Sequence, residues 1–114
     1  MNQSVLAVWD TLRESAFGDI TGAFTVVDSV FAHPVRLLVM QNLTDVRLLI
    51  SDDGTNSRWT LPSGGQIVLD YASDASAVAG MWSMAVGAGI YVRSDGAVPT
   101  SGAFYVSAAY GKGE

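Results

Sequence analysis

The residues able to do chemistry in this chain are few and scattered. Among 114 residues there is one histidine, His33, and no cysteine. A catalytic metal wants two or three imidazoles and a carboxylate converging on one ion, so a metal enzyme has too few ligands. A nucleophilic serine or threonine needs a base beside it, and any such set would have to be built on His33. No G-x-S-x-G sequence marks a nucleophile, and Gly64-Gly65 lacks the following lysine of a phosphate loop. The 11 acids could supply a carboxylate pair for glycoside cleavage, but nothing singles one out. His33 itself precedes Pro34, which holds it extended, and it reads as a loop residue making one hydrogen bond. The expectation is therefore no enzyme, with no catalytic residue, no metal site and no cofactor.

Two stretches carry a weaker signal. Ser51-Asp52-Asp53-Gly54-Thr55-Asn56 offers oxygens that could cradle Ca²⁺, yet it lacks the alternating acids and distal glutamate of an EF-hand loop. Adjacent aspartates before a glycine read instead as a hairpin turn whose carboxylates accept local N–H groups. Trp9, Trp59 and Trp82 could form a platform for sugar rings, because an indole face suits a pyranose. Tryptophans in a domain this size also serve as core and interface anchors, so a carbohydrate-binding module stands as a competing class.

The elements that would position these residues are strands. Hydrophobic residues make up 49% of the chain and charged ones 15%, with 12 glycines; this favours close-packed strands and tight turns and excludes disorder. Val35–Asn42 and Val46–Ser51 are apolar runs separated by Leu43-Thr44-Asp45, a hairpin pattern, and Asp53-Gly54 closes the second run with a turn dipeptide. In the first run Leu37 and Val39 fall on one face and Leu38 and Met40 on the other. Such a strand is covered on both sides, by the fold or by a partner. Gln66–Tyr71 alternates with Ile67, Leu69 and Tyr71 inward. Ala103–Tyr110 places Phe104, Val106, Ala108 and Tyr110 on one face.

About seven or eight short strands with turn signals between them predict an all-β, single-domain antiparallel β-sandwich, jelly-roll-like. The expected boundaries are an N-terminal arm or short helix over 1–16, the sandwich over 17–110 and a frayed tail over 111–114. Val5, Val8, Trp9, Leu12 and Ala16 fit helical spacing, and the same residues could lie in an extended arm. The net charge of −5 repels phosphate, so neither nucleic acid nor a membrane surface is an expected partner. MNQSVLAVWDTL lacks the basic region and long apolar run of a signal peptide, and no segment approaches the roughly 20 apolar residues of a bilayer span. The protein is expected to be made and kept in solution.

The progression His33-Pro34-Val35-Arg36, Asn42-Leu43-Thr44-Asp45, Ile50-Ser51-Asp52-Asp53-Gly54 and Leu61-Pro62-Ser63-Gly64 resembles that of small virion proteins of tailed, mostly short-tailed, bacteriophages. So does the closing block Ile90-Tyr91-Val92-Arg93 with Pro99-Thr100-Ser101-Gly102-Ala103-Phe104-Tyr105-Val106. Asp52-Asp53 departs from the single aspartate of that pattern. The resemblance implies a structural role in the virion: a capsid decoration or cement protein bridging subunits of the major capsid protein, or else a head–tail connector, tail or fibre-base component bound to other virion proteins. Low charge and open sheet edges add an expectation of a homo-oligomer, dimer or trimer. The contacts are expected from Val5, Leu6, Val8, Trp9 and Leu12 on the N-terminal segment and from Met81, Trp82 and Met84 on a loop over Tyr71–Gly89.

Overall fold

Apolar and β-branched residues at every second position give this chain its strands. The computed structural model describes residues 6–71 and 84–113. Among them the strands are β1 (Ala7–Trp9), β2 (Arg13–Ala16), β3 (Thr25–Val26), β4 (Leu37–Asn42), β5 (Leu48–Ser51), β6 (Trp59–Leu61), β7 (Gln66–Asp70), β8 (Tyr91–Ser94) and β9 (Ala103–Gly111). A 3₁₀ turn, Phe17–Asp19, follows β2. The strands form two antiparallel sheets, ordered β1-β9-β4-β7, with β2 also on β9, and β3-β8-β5-β6. The pairings nest, because β2 meets β9, β3 meets β8, β4 meets β7 and β5 meets β6. The architecture is an all-β sandwich.

The core lies between the sheets. Leu38, Met40, Phe104 and Val106 enter from the first sheet, and Leu48, Ile50 and Val92 from the second, all with no measurable exposure. Phe31 and Ile90 complete it from the connecting segments. Each such side chain contributes about 1.5–3 kcal/mol through removal from water, so this layer is what holds the two sheets together.

Three expectations change against this frame. The runs Val35–Asn42 and Val46–Ser51 do not pair as a hairpin: β4 lies between β9 and β7 in one sheet, and β5 between β8 and β6 in the other. Leu43-Thr44-Asp45 is thus a crossover from sheet to sheet, and Asn42 explains why. Its buried side chain turns the chain by accepting from the Thr44 N–H and hydroxyl through Oδ1, and donating through Nδ2 to the carbonyls of Val46 and Leu61. Gly102 sits against this corner with φ 83°, and a Cβ there would lie 1.9 Å from the Leu43 carbonyl oxygen.

The second change concerns the N-terminal segment, whose helical alternative gives way to extended backbone. β1 and β2 run along successive stretches of β9, with Trp9 opposite Ala109 and Arg13 opposite Val106. Residues 10–12 on one side face 107–108 on the other, one residue extra, which is a β-bulge. The expected arm is therefore a sheet edge. At the other end, β9 continues through Gly111 and the Lys112 N–H bonds the Leu6 carbonyl at 2.8 Å, where the sequence suggests a frayed tail.

The third change is Met84. It forms a bridge with Val35 and is only 8% exposed within the core, so it leaves the set of surface candidates.

Candidate interaction surface

Strand alternation that buries one set of residues must present the other set outward. On β4 the buried Leu38, Met40 and Asn42 alternate with Leu37, Val39 and Gln41, which are half-buried. The same holds on β9, where Phe104, Val106 and Ala108 are inward and Tyr105, Ser107 and Ala109 lie on the opposite face. Register then assembles an outer face across the first sheet. Trp9, Ala109, Leu37 and Asp70 stand in one row; Ser107, Val39 and Val68 form the next; Glu14, Tyr105, Gln41 and Gln66 form the third.

The centre of this face is apolar. Trp9 on β1 is 55% exposed and Val68 on β7 is 52% exposed, with Leu37 and Val39 between them. Scattered apolar residues are ordinary on a surface, whereas a contiguous patch rimmed by polar groups marks an interaction site. Here the rim is Asp70, Gln66, Gln41 and Glu14.

What fixes Trp9 in place is the bulge behind it. Arg13 is buried and its guanidinium lies 4.5 Å from the centre of the Phe31 ring. It donates to Asp10 at 3.0 Å and to the backbone carbonyls of Ser29 and Val30. Partial burial works to raise the Asp10 pKa, but the Arg13 hydrogen bond, the Thr11 N–H and the charges of Arg13 and His33 outweigh it. The carboxyl is held below its usual range. A cleft of about 290 Å³ opens beside these groups, lined by Asp10 through Arg13 and by Asp28 and Ser29. Its charges are engaged internally, since Arg13 holds Asp10 and Asp28 accepts the Glu14 N–H. The cleft is a clamp on the sheet edge.

The stretches singled out for chemistry have local structural jobs. Asp53 accepts from the N–H groups of Asn56 and Thr55, from the Asn56 amide and from the Ser51 hydroxyl, and these bonds hold its carboxyl far below the usual range. Arg58 bridges Asp52 and Asp53 at 2.9 and 3.2 Å. The carboxylates that could have faced Ca²⁺ are thus used in closing the β5–β6 hairpin. His33 stacks on Tyr110, with ring centres 3.8 Å apart. Among the described residues no three His, Cys, Asp or Glu side chains group as metal ligands.

Comparison with protein-family models, with curated proteins and with solved structures gives no match for this chain.

Of the residues expected at a partner contact, Leu6, Trp9 and Leu12 are exposed and Val8 is half-buried. Val5, Met81 and Trp82 lie outside the described residues. Trp9 joins Leu37 and Val39, and the structure adds Val68. The signal for Val68 was present in the sequence: it shares parity with Gln66 and Asp70, so a valine there stands on the polar side of its strand. Trp59, a member of the suggested sugar platform, is partly buried and packs against the core.

Proposed function

We propose that this protein is a non-enzymatic structural component of a bacteriophage virion, a capsid decoration or cement protein that bridges neighbouring capsid subunits. The observation in the structure that carries an interaction role is the apolar outer face of the first sheet. The resemblance in turn and strand pattern carries the virion. A jelly-roll reading agrees with both: one long hairpin folded over itself gives the nested pairing of β2 with β9 through β5 with β6, and double-sheet jelly rolls are common among viral capsid domains. Fold alone assigns no function.

The mechanism is mass action. A folded wedge that binds the assembled shell and not its loose subunits raises the free energy needed to separate them. Purified particles with and without the protein should differ in the temperature at which they release their genome, and equal temperatures would sink the stapling role. A head–tail connector, tail or fibre-base part is the second reading. Copy number separates the two, because cyclic symmetry sets a tail part at about six or twelve copies and a decoration protein runs to hundreds.

The protein also self-associates in this reading. Its charged residues are too few to cover both the edges and the outer face of a 12.0 kDa domain.

A further inference from the structure

We infer that the outer face of the first sheet is the self-association surface, on which a second copy of this chain packs face to face about a two-fold axis. This rests on the self-association half of the reading above and is independent of the virion.

The first support is the charge pattern. By register the face carries two charged groups, Glu14 and Asp70, at diagonally opposite corners. A two-fold axis lying in the interface along the strands exchanges the β1/β2 edge with β7, and β9 with β4. Asp70 then meets Trp9 of the second copy, and Glu14 meets Gln66. An indole N–H and a carboxamide are hydrogen-bond donors, so neither carboxylate is set against another carboxylate. That matters for a chain of net charge −5, which repels its own copies except through a patch arranged in this way. At the centre Val39 meets Ser107, large against small, and Leu37 lies over the shallow floor left by the buried Ala109, so the two sheets can approach closely.

The second support is size. Strands lie about 4.8 Å apart and rise about 3.4 Å per residue. Four strands across, with a length between the 5 residues of β7 and the 9 of β9, give a face of roughly 330–590 Å² in projection. With side-chain relief this approaches the roughly 600–800 Å² per partner of specific interfaces. An interface at the small end of that class implies a dimer that dissociates at micromolar concentrations.

Sedimentation velocity on the full chain, from about 1 to about 200 μM, tests this. The expected result is a concentration-dependent monomer–dimer equilibrium that Val68→Lys weakens about tenfold, since it sets a charge into the apolar row at the margin of the face. Val98→Lys, at an equally exposed valine in the Asp95–Gly102 loop (53%), should leave it unchanged. A wild type that stays monomeric overturns both the self-association and the face. A dimer that ignores Val68→Lys overturns the face alone, and a trimer overturns the two-fold. Because the chain has no cysteine, Ser107→Cys gives one further readout. A short bis-maleimide should join two copies through that single thiol, and failure to do so counts against this packing.

Discussion

Two regions of the molecule invert the usual sorting of side chains, in opposite senses. At the crossover between β4 and β5, Asn42 and Thr44 are polar and buried; across the outer face of the first sheet, Trp9 and Val68 are apolar and exposed. The corner is complete within one chain, since Asn42 makes four hydrogen bonds and Thr44 Oγ1 also accepts from the Val46 N–H. Among the described residues no buried side-chain nitrogen or oxygen lacks a partner. The outer face has no such internal account, because nothing in the two sheets requires an indole beside a row of aliphatic side chains in water. Buried polarity here specifies where the chain changes sheets, and exposed apolarity is what the proposed association would cover. Substitutions in the two places should therefore fail in different ways.

The largest effect is expected at Gly102. Its left-handed φ and the Leu43 carbonyl oxygen, which an added Cβ would meet at 1.9 Å, leave no room for a side chain. Left-handed backbone costs an L-residue about 1–2 kcal/mol and overpacking a further 1–3, so Gly102→Ala should lose about 3 kcal/mol or more in urea unfolding. A variant within 1 kcal/mol of the wild type, by the same scale, would mean that the corner relaxes freely and does not fix the crossover.

Asn42→Ala should follow closely. It strands the Leu61 carbonyl and the Thr44 N–H in a buried corner, while the Val46 carbonyl can take the released Thr44 hydroxyl. Each unsatisfied group costs about 1–3 kcal/mol, though water entering the space left behind recovers part of that. A net loss of about 2–3 kcal/mol is expected by the same scale. Asn42→Asp is the harsher probe, because it keeps the acceptor toward Thr44 but sets a buried carboxylate against the carbonyls of Val46 and Leu61, so it should lose at least as much. If Asp instead rescues most of the loss, the turn at Thr44 matters more than the bridge to the second sheet.

The importance of this corner explains why the fold was only partly legible in the sequence. The β5–β6 hairpin was readable from Asp53-Gly54, whose glycine has φ 79°, and β7 and β9 were readable from their alternation. Those signals are local. The supposed hairpin of β4 with β5 failed because a polar break between apolar runs looks the same whether the chain turns back or crosses over. What decides is a pairing with β9, more than sixty residues away in the register. The N-terminal segment failed similarly: five apolar residues fit a helix, and the free edge of β9 overrides that spacing. The outer face was half legible, since a β4 apolar on both sides pointed to a cover, and only the register showed Trp9 and Val68 flanking it.

Acid should act on the turns. The Asp45 carboxyl is lowered by bonds from the Thr100 hydroxyl and N–H, and Asp53 is lowered further by its turn donors. A carboxyl whose folded pKa lies below its unfolded value contributes stability that is complete above the unfolded value of 3.8 and lost as pH falls through the folded one. Urea midpoints should thus hold steady down to about pH 5 and decline from about pH 4 toward 2. Asp45→Asn should lower the midpoint at pH 6 and flatten the decline. An unchanged slope would mean that the Thr100 contact gives no net preference for the charged form.

The smallest expected effect is the most discriminating. Val68 is half exposed on an edge strand, its neighbours on that face are Val39 and water, and the core touches only its flanking residues Ile67 and Leu69. Measured at dilutions where the protein is monomeric, Val68→Lys should change the unfolding free energy by no more than about 0.5 kcal/mol, the usual range for surface substitutions. Some of what the valine gives up in β-propensity is offset by a lysine stem lying along the sheet. Raising the concentration should then separate the two proteins, because the wild type gains stability by mass action as copies associate and the variant does not. Equal concentration dependence in both would place the association elsewhere. A large loss in the dilute monomer would mean that the valine belongs to the fold, and the contrast between corner and face would no longer hold.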